Sequence, residues 1–578
     1  MKQTNLISKN LWIFIIILFL IGLVTGIIGF MQEGQCFSGS IYSTIQTFAL
    51  HHEFKGDIAS RLLEYSRWIL LLAFVAATFK LFFILIAPKW LQSRISRFPG
   101  LKLQCCLFAG AGEQAKILAK DLKKKSSCRC IFLVSKEKEN DNALYDELRD
   151  LGAFVLYVNF EDDKMKFPKV TDKFFFVDED EQFNMKMSAR LVNKIFTKEI
   201  NVYVKTESKQ FFSYIEKKLK KNIEGYKNIE FHIFNQSDLT ARLFVKENPM
   251  LNSPNIKIEN LRVKGDFNVL LLGFGWQGQE LLKKCVCDSQ FVGSTFKATI
   301  FDSDFETHHG DYPVLYDECI EHYNLNFKSD TVGSKKFYEW LDTEIANFNR
   351  IIIALGNDEF NINTAEKITE ILHKHGILNT KEIVFACVLR LKPYSNNFKP
   401  FGKLTKIYTE EMIVNAVEDK IAKMVNYVYN HSDKNFDKFT DEDRKNIEIE
   451  WKPISLFNKD SSRAVAQNIE NIKKIAGEKI FNPNKAELEI LAENEHLRWN
   501  AFHFVNGIRE WHIDEINTGN AKLKDKTGNL LKHGCLVPLR ELNKVSAKVN
   551  EIRKQNGIKE EENFAETDRR IVRHFPVF

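Results

Sequence analysis

Phe267-Asn268-Val269-Leu270-Leu271-Leu272-Gly273-Phe274-Gly275-Trp276-Gln277-Gly278 is the stretch that decides the fold. A short, mostly apolar run reads as a strand buried on both faces. It passes into G-x-G-x-x-G and then into Glu280-Leu281-Leu282, the start of a helix. The glycines allow a tight turn and let the backbone approach a pyrophosphate, whose charge sits well at the helix N-terminus. Thr299-Ile300-Phe301-Asp302 reads as the second strand. Asp302 lies 24 residues beyond Gly278, near the place where an acid grips a ribose hydroxyl. Arg350–Leu355 is a further apolar run. It ends in Gly356-Asn357-Asp358-Glu359, with Asn361 and Asn363 opening a helix, and Glu382–Val388 is the next expected strand. Strands alternating with helices predict a doubly wound α/β unit.

The same pattern stands upstream. Leu103–Phe108 leads into Gly110-Ala111-Gly112-Glu113-Gln114-Ala115 and a helix through Leu122. Cys130–Val134 is the second strand, but Ser135-Lys136 stand where the ribose acid is expected. Phe174–Val177 ends in Asp178-Glu179-Asp180, with Asn184 opening a helix, and Ile229–Phe234 leads into Asn235-Gln236-Ser237-Asp238. The two units begin about 160 residues apart, which makes a tandem Rossmann pair. Gly110, Gly112, Gly273, Gly275, Gly278, Asp302 and Asp358 are the candidate cofactor-binding residues. Two purely structural folds without ligand remain the alternative. No catalytic Cys, Tyr-x-x-x-Lys or His constellation accompanies either motif, so no enzyme is expected.

Ahead of these units, Leu11–Met31 carries no charge. Its length as a helix is about 31 Å, enough for a bilayer. Met31-Gln32-Glu33 follows in place of a small-residue cleavage site. Trp68–Pro88 is the second expected span, with Lys80 as its one charge. Lys2 and Lys9 precede the first span, and Lys89, Arg94, Arg97 and Lys102 follow the second. Both termini are therefore expected on the cytoplasmic side of a cell (inner) membrane, with the loop 32–67 outside. In that loop Ser40–Leu50 reads as a short amphipathic helix, followed by a turn over His51–Asp57. That layout is similar to a two-helix channel subunit, with Thr47 and Lys80 as pore candidates. The T-V-G-Y-G filter is absent, so potassium selectivity does not follow. A plain pair of anchors is the alternative.

The acidic, Asn-containing turns after the fourth strands, together with the glycine turns, resemble the TrkA-N or RCK family of potassium-channel regulators. Downstream, Trp451, Ser461-Ser462-Arg463, Leu491-Ala492-Glu493-Asn494-Glu495-His496-Leu497-Arg498-Trp499 and Leu536-Val537-Pro538 resemble the ryanodine-receptor-type (RyR) domain. The resemblance implies a ligand site built from Ser462, Arg463, Glu495, His496, Arg498 and Trp499. On a helix Glu495, Arg498 and Trp499 are neighbours. A guanidinium beside an indole suits phosphate and ring recognition, while an internal salt-bridge network is the alternative. His496 and His503 are spaced wrongly for a zinc site. The expected modules are a membrane part (1–99), two Rossmann domains (100–262 and 263–396) and an RyR-type domain (397–578).

Composition narrows the classes. The 578 residues carry 82 Lys+Arg against 76 Asp+Glu, a net charge of +6. With no long basic block, nucleic acid is not an expected partner. The ten cysteines form no paired C-x-x-C pattern and read as reduced, buried thiols. The combination resembles bacterial ligand-gated membrane effectors in nucleotide-signalled antiviral defence. It implies a homo-oligomer, with a tetramer favoured, embedded in the lipid bilayer. NAD or another small nucleotide-like ligand would occupy a Rossmann crevice or the RyR-type domain. A membrane-anchored sensor without a pore, signalling through partner proteins, and a tethered oxidoreductase are the competing expectations.

Overall fold

Three helices open the chain because their residues are apolar and unbroken by proline: α1 (Lys2–Gln32), α2 (Phe37–Phe48) and α3 (Ala59–Leu85). The computed structural model describes residues 2–48, 59–85, 104–126, 128–163, 165–168, 171–192, 198–208, 211, 214–215, 228–431, 438–526 and 528–578. Contacts divide the chain into two units: Met1–Asp178 with Phe196–Val202 and Asn228–Glu230, and Glu179–Ile195 with Tyr203–Lys227 and Phe231–Phe578.

In the first unit, α1 meets α3 through glycines. A Cβ on Gly22 would stand 2.8 Å from Leu70, and one on Gly26 would stand 2.4 Å from Thr44 of α2. Small residues let such helices approach closely. Ser66 Oγ donates to the Gly22 carbonyl at 2.7 Å. Helix α2 is inside-out: Ser40, Ser43 and Thr44 are buried, whereas Phe37, Tyr42 and Ile45 are exposed. Among the described residues one stretch, Phe14–Gln32, is long and apolar enough to cross a membrane. The second expected span is helical as far as Leu85. Its end, the expected turn at 51–57, and the side chains of Thr47 and Lys80 lie outside the described residues.

Next come β1 (Cys105–Ala109), α4 (Glu113–Lys125), β2 (Arg129–Ser135), α5 (Asn142–Asp150), β3 (Phe154–Val158), β4 (Lys173–Phe176), α6 (Glu181–Val192), β5 (Ile200–Lys205) and β6 (Ile229–Phe234). The strand order is β3-β2-β1-β4-β5-β6. Strand β1 is parallel to β2 and β4, with Leu107 opposite Ile131 and Phe174. All five of its residues are buried, as a strand covered on both faces requires. Phe108 stacks on Phe132 and Phe175 with ring centres 4.9 and 4.7 Å apart.

The second unit continues with α7 (Gln236–Glu247), a hairpin of β7 (Lys257–Glu259) and β8 (Arg262–Lys264), β9 (Phe267–Leu272), α8 (Trp276–Asp288), β10 (Phe296–Phe301), α9 (Asp317–His322), β11 (Leu325–Lys328), α10 (Lys335–Glu344), β12 (Arg350–Ile353), α11 (Asp358–Lys374), β13 (Val384–Cys387) and β14 (Lys399–Phe401). The second sheet runs β11-β10-β9-β12-β13-β14, and its pairs are parallel. The order reverses beside β9, as it does beside β1 in the first sheet. Both sheets are Rossmann-like, with a ligand crevice possible at the reversal. Strand β14 lies past residue 396, so this sheet takes in residues expected in the next module.

The remaining chain is mostly helical: α12 (Lys420–Asn430), α13 (Asp441–Trp451), α14 (Leu456–Ala476), α15 (Lys485–Phe504), α16 (Leu542–Gln555) and α17 (Phe564–Arg573). A small sheet of β15 (Arg509–Glu510), β16 (Lys522–Lys524) and β17 (Leu530–His533) lies between α15 and α16 in sequence. Apolar residues recur at helical spacing over 410–430, which predicts one helix, but the backbone breaks at Ala416, which adopts a left-handed φ of +43°. Helix α15 starts on a reciprocal cap between Asn484 and Glu487. Val425, Ile469, Ile472, Leu491 and Ile571 share one continuous core with Val269 and Leu271 of β9. The C-terminal helices are thus fused to the second sheet by a common apolar interior.

The glycine turn after β9 separates fold from function. Gly273 has φ +98°, and a Cβ there would meet the Ala354 carbonyl at 2.3 Å. A Cβ on Gly278 would meet the Gly273 carbonyl at 2.0 Å, whereas one on Gly275 meets nothing within 4 Å. Gly273→Ala is therefore expected to cost about 1–3 kcal/mol, and Gly278→Ala at least as much. Gly275→Ala stays within about 0.5 kcal/mol of the parent. Urea unfolding of the three variants checks the ranking.

Candidate functional site

In the second crevice Asp302 engages the glycine turn and Asp358 the loop after β13, so backbone groups already occupy both predicted acids. Asp302, at the end of β10, accepts from the Phe274 N–H at 2.6 Å and from the Asp304 N–H at 2.9 Å. The acid expected on a ribose thus ties the glycine turn to the neighbouring strand. Asp358 accepts from the N–H groups of Leu389, Arg390 and Leu391 at 2.9, 2.7 and 2.9 Å. It therefore holds the loop after β13. Asn361 accepts from Leu355 N–H and donates to the Cys387 carbonyl, both at 2.8 Å, and so links the ends of β12 and β13. The fourth-strand signature is a set of loop clamps. Gly275 alone of the three glycines keeps open space at its Cα.

The first crevice differs. Gly110 takes φ +85° and Gly112 caps α4, as the motif requires. The Asp178 carboxylate, however, stands 3.2 Å from where a Gly112 Cβ would be. An acid at that point opposes the phosphate that a glycine turn ordinarily favours.

The six residues expected in one C-terminal ligand site separate into four places. Glu495 and Arg498 are buried and paired in two parallel hydrogen bonds, 2.9 and 2.6 Å. Burial disfavours the guanidinium charge, but Glu495 outweighs it and raises the Arg498 pKa. His496 points to a different partner. Its Nδ1 lies 2.8 Å from Asp568 and its Nε2 2.7 Å from the Val537 carbonyl. Two acceptors call for two N–H donors, which is the imidazolium. Burial works against that charge, and Asp568 overcomes it, so the pKa is raised.

Arg463 belongs to a buried ionic cluster. It donates from Nε to Asp419 at 2.8 Å and from Nη1 to Asp460 at 2.8 Å, and its Nη2 also meets Asp419. Arg242 of α7 reaches the same Asp419 at 3.2 Å and Asp238 at 3.0 Å. Lys284 of α8 closes on Asp238 at 2.8 Å. Arg463, Asp460, Arg242, Asp238 and Lys284 line, together with Glu207, a cavity of about 90 Å3. Burial pushes the Glu207 carboxyl up to about 7. For Asp419, burial is outweighed by Arg463 and Arg242, which hold it down at about 2.

Ser462 and Trp499 do come together, in a cleft of about 1200 Å3. It is lined by aromatic rings (Trp499, Tyr429, Phe457), by Asn and Ser side chains, by His503 and His533, and by Lys522 and Lys524. No carboxylate is among the described lining residues. Trp499 lies on the His503 ring, centres 3.9 Å apart, with His533 edge-on at 4.9 Å. Burial lowers His503 to about 3 and His533 well below its usual range, so both are neutral. His503 Nδ1 donates to the Trp499 carbonyl, and His533 Nδ1 accepts from Cys535 N–H. That leaves Nε2 of His503 as an acceptor and Nε2 of His533 as a donor. Asn426, Lys522 and Lys524 carry no motif and were not legible in advance. Among the described residues no group of three or more His, Cys, Asp or Glu is arranged to hold a metal ion.

Two measurements test these assignments. Asp419→Ala leaves two largely buried guanidiniums short of a partner and is expected to destabilise by about 3–5 kcal/mol in urea unfolding. Ser462→Ala, in the cleft, stays within about 1 kcal/mol. His503 and His533 take up protons only when unfolded, where the pKa is about 6.5. Their contribution is therefore present above that pH and lost as pH falls below it. A His503→Gln/His533→Gln chain should lose less melting temperature than the parent between about pH 6.5 and pH 5.

No family model matches the chain, and no curated protein does either. Among solved structures it is similar to the transhydrogenase from Sinorhizobium meliloti, at 10% identity over 43% of this chain and 69% of that one, with a TM-score of 0.16. A likeness that weak carries no functional argument.

Proposed function

We propose that the chain is a ligand-gated membrane channel or pore-forming effector whose RyR-type C-terminal domain senses a small nucleotide-like ligand. The observation that carries this reading is the cleft around Trp499: aromatic, rich in amide and hydroxyl groups, without a carboxylate among its described lining residues and flanked by two lysines. Such a surface suits a ring system bearing phosphate. The paired Rossmann-like sheets support the resemblance to TrkA-N or RCK regulators, and NAD or another nucleotide in the second crevice belongs to this proposal. The first crevice, with Asp178 over its turn, is the weaker host.

The membrane part of the proposal rests on Phe14–Gln32 and on the inside-out helix α2, whose exposed apolar side chains suit a lipid or protein neighbour. In this reading α1 and α3 cross the inner membrane, both termini are cytoplasmic, and copies assemble as a homo-oligomer, a tetramer being favoured. No catalysis is proposed. The ligand gates by binding the open form more tightly than the closed one. Antiviral signalling is the setting that the resemblance suggests.

A membrane-anchored sensor without a pore is favoured by one observation: among the described residues a single stretch meets the length and apolarity of a span. Liposome flux separates the two. The purified chain in proteoliposomes should release a trapped small ion when a phosphorylated nucleoside is added, and stay tight without it. Ligand binding without flux in any ion gradient would leave the anchored sensor.

A further inference from the structure

His503, on α15, and His533, at the end of β17, line the cleft with one nitrogen of each ring already committed. His503 Nδ1 donates to the Trp499 carbonyl at 2.9 Å, and His533 Nδ1 accepts from the Cys535 N–H at 3.1 Å. Burial keeps both rings neutral, and a neutral imidazole has one donor and one acceptor. His503 Nε2 is therefore a bare acceptor, and His533 Nε2 carries the hydrogen. Among the described residues neither Nε2 has a hydrogen-bond partner. Nor is either sealed off: His574 Nε2 is a buried atom without a partner, and these two are not. Both residues are 4% exposed, and the surface they keep opens on the cleft that they line. The ring centres stand 5.7 Å apart. One edge of a flat molecule covers that span with a hydrogen bond of about 2.9 Å at each end. Trp499, Tyr429 and Phe457 line the same space, and aromatic walls favour a flat, conjugated occupant.

We infer that His503 and His533 are ligand-contacting, specificity-determining residues that read the edge of a heteroaromatic base: His503 Nε2 accepts from an exocyclic amine, and His533 Nε2 donates to the ring nitrogen beside it. This rests on the reading of the cleft as the sensor site and deepens it. The base is one with an amidine edge, the pattern of adenine and cytosine. A base whose amine is blocked leaves His503 Nε2 facing carbon, and a site with a polar atom left unpaired rejects the analogue. A sugar hydroxyl can meet either nitrogen but offers nothing flat to the aromatic wall.

The full chain in detergent is titrated by calorimetry with AMP and CMP, each beside the form dimethylated on its exocyclic amine, and with ribose 5-phosphate. At least one of AMP and CMP is expected to bind, with its dimethylated form weaker by about tenfold or more. His503→Phe then brings the two forms to within about twofold of each other, because the amine has lost its acceptor. His503→Gln, whose amide oxygen accepts, keeps the discrimination. His533→Phe weakens both forms by about tenfold and leaves their ratio unchanged, since dimethylation spares the ring nitrogen. A His503→Phe chain that still discriminates overturns the role of His503. Where a Phe variant fails to fold, as its ligand-free melting curve shows, the parent decides. A parent that binds amine and dimethylated forms equally, or ribose 5-phosphate as tightly as AMP and CMP, refutes the edge assignment while the cleft reading stands. If neither AMP nor CMP binds, the nucleotide reading of the cleft fails, and the inference fails with it.

Discussion

The Asp419 carboxylate, shared by Arg242 and Arg463, is the contact on which the C-terminal half depends. Three chain segments far apart in sequence meet there: α7, the turn before α12, and α14. Lys284 brings in α8 through Asp238. Taking charges out of water is costly, so a buried cluster survives only when nearly neutral and well bonded. Asp238, Asp419 and Asp460 here face Arg242, Lys284 and Arg463, one cation for each carboxylate. Such a cluster adds little net stability compared with apolar packing, but it tolerates one arrangement. Its consequence is the orientation of α14. The face bearing Asp460 and Arg463 is bound to the cluster, which turns Phe457, Ser461 and Ser462 toward the cleft. The cleft is shaped from behind by an ion cluster that is not part of its lining.

The tandem glycine turns make the opposite point about repetition. Both use the same strand, turn and helix, and both sheets reverse order at the same place. Their local chemistry has diverged. Asp178 crowds the first turn, while the second leaves Gly275 open. Asp302 and Asp358, the two acids most like ligand residues, are bonded to backbone N–H groups of their own domain. A motif predicts a backbone path reliably, because sterics admit few alternatives to glycine at φ +98°. It predicts an acid's partner poorly, because any nearby N–H competes with the ligand.

Much of the architecture was legible for that reason. The six-residue run ending at Leu272, the glycine spacing and the repeat upstream imply two parallel sheets, and both are present. The helix through Trp499 was legible from its pattern. What was not legible is which face each side chain presents. Ser462 and Arg463 are adjacent in sequence but about 100° apart around a helix, so one enters the cleft and the other the ion cluster. Glu495 and His496 divide in the same way, toward Arg498 and Asp568. Asn426 and Lys522 belong to no motif and reach the cleft through tertiary folding alone. The break at Ala416 was hidden because apolar periodicity continues across it.

His496 and His503 show how far environment overrides spacing. They are two helical turns apart on nearly the same face of α15, yet one is held charged and the other neutral. Asp568 and the Val537 carbonyl offer His496 two acceptors, so its proton count is set by pairing. His503 has the Trp499 carbonyl on one nitrogen and lies near His533 and Lys522, so burial sets its state. Neither His503 nor His533 therefore brings charge to the cleft wall near neutral pH. One ring nitrogen accepts there and one donates, and among the described lining residues Lys522 and Lys524 are the charged side chains. A cleft of that kind presents a fixed hydrogen-bonding pattern to what enters it, because neither ring changes its proton count near neutral pH.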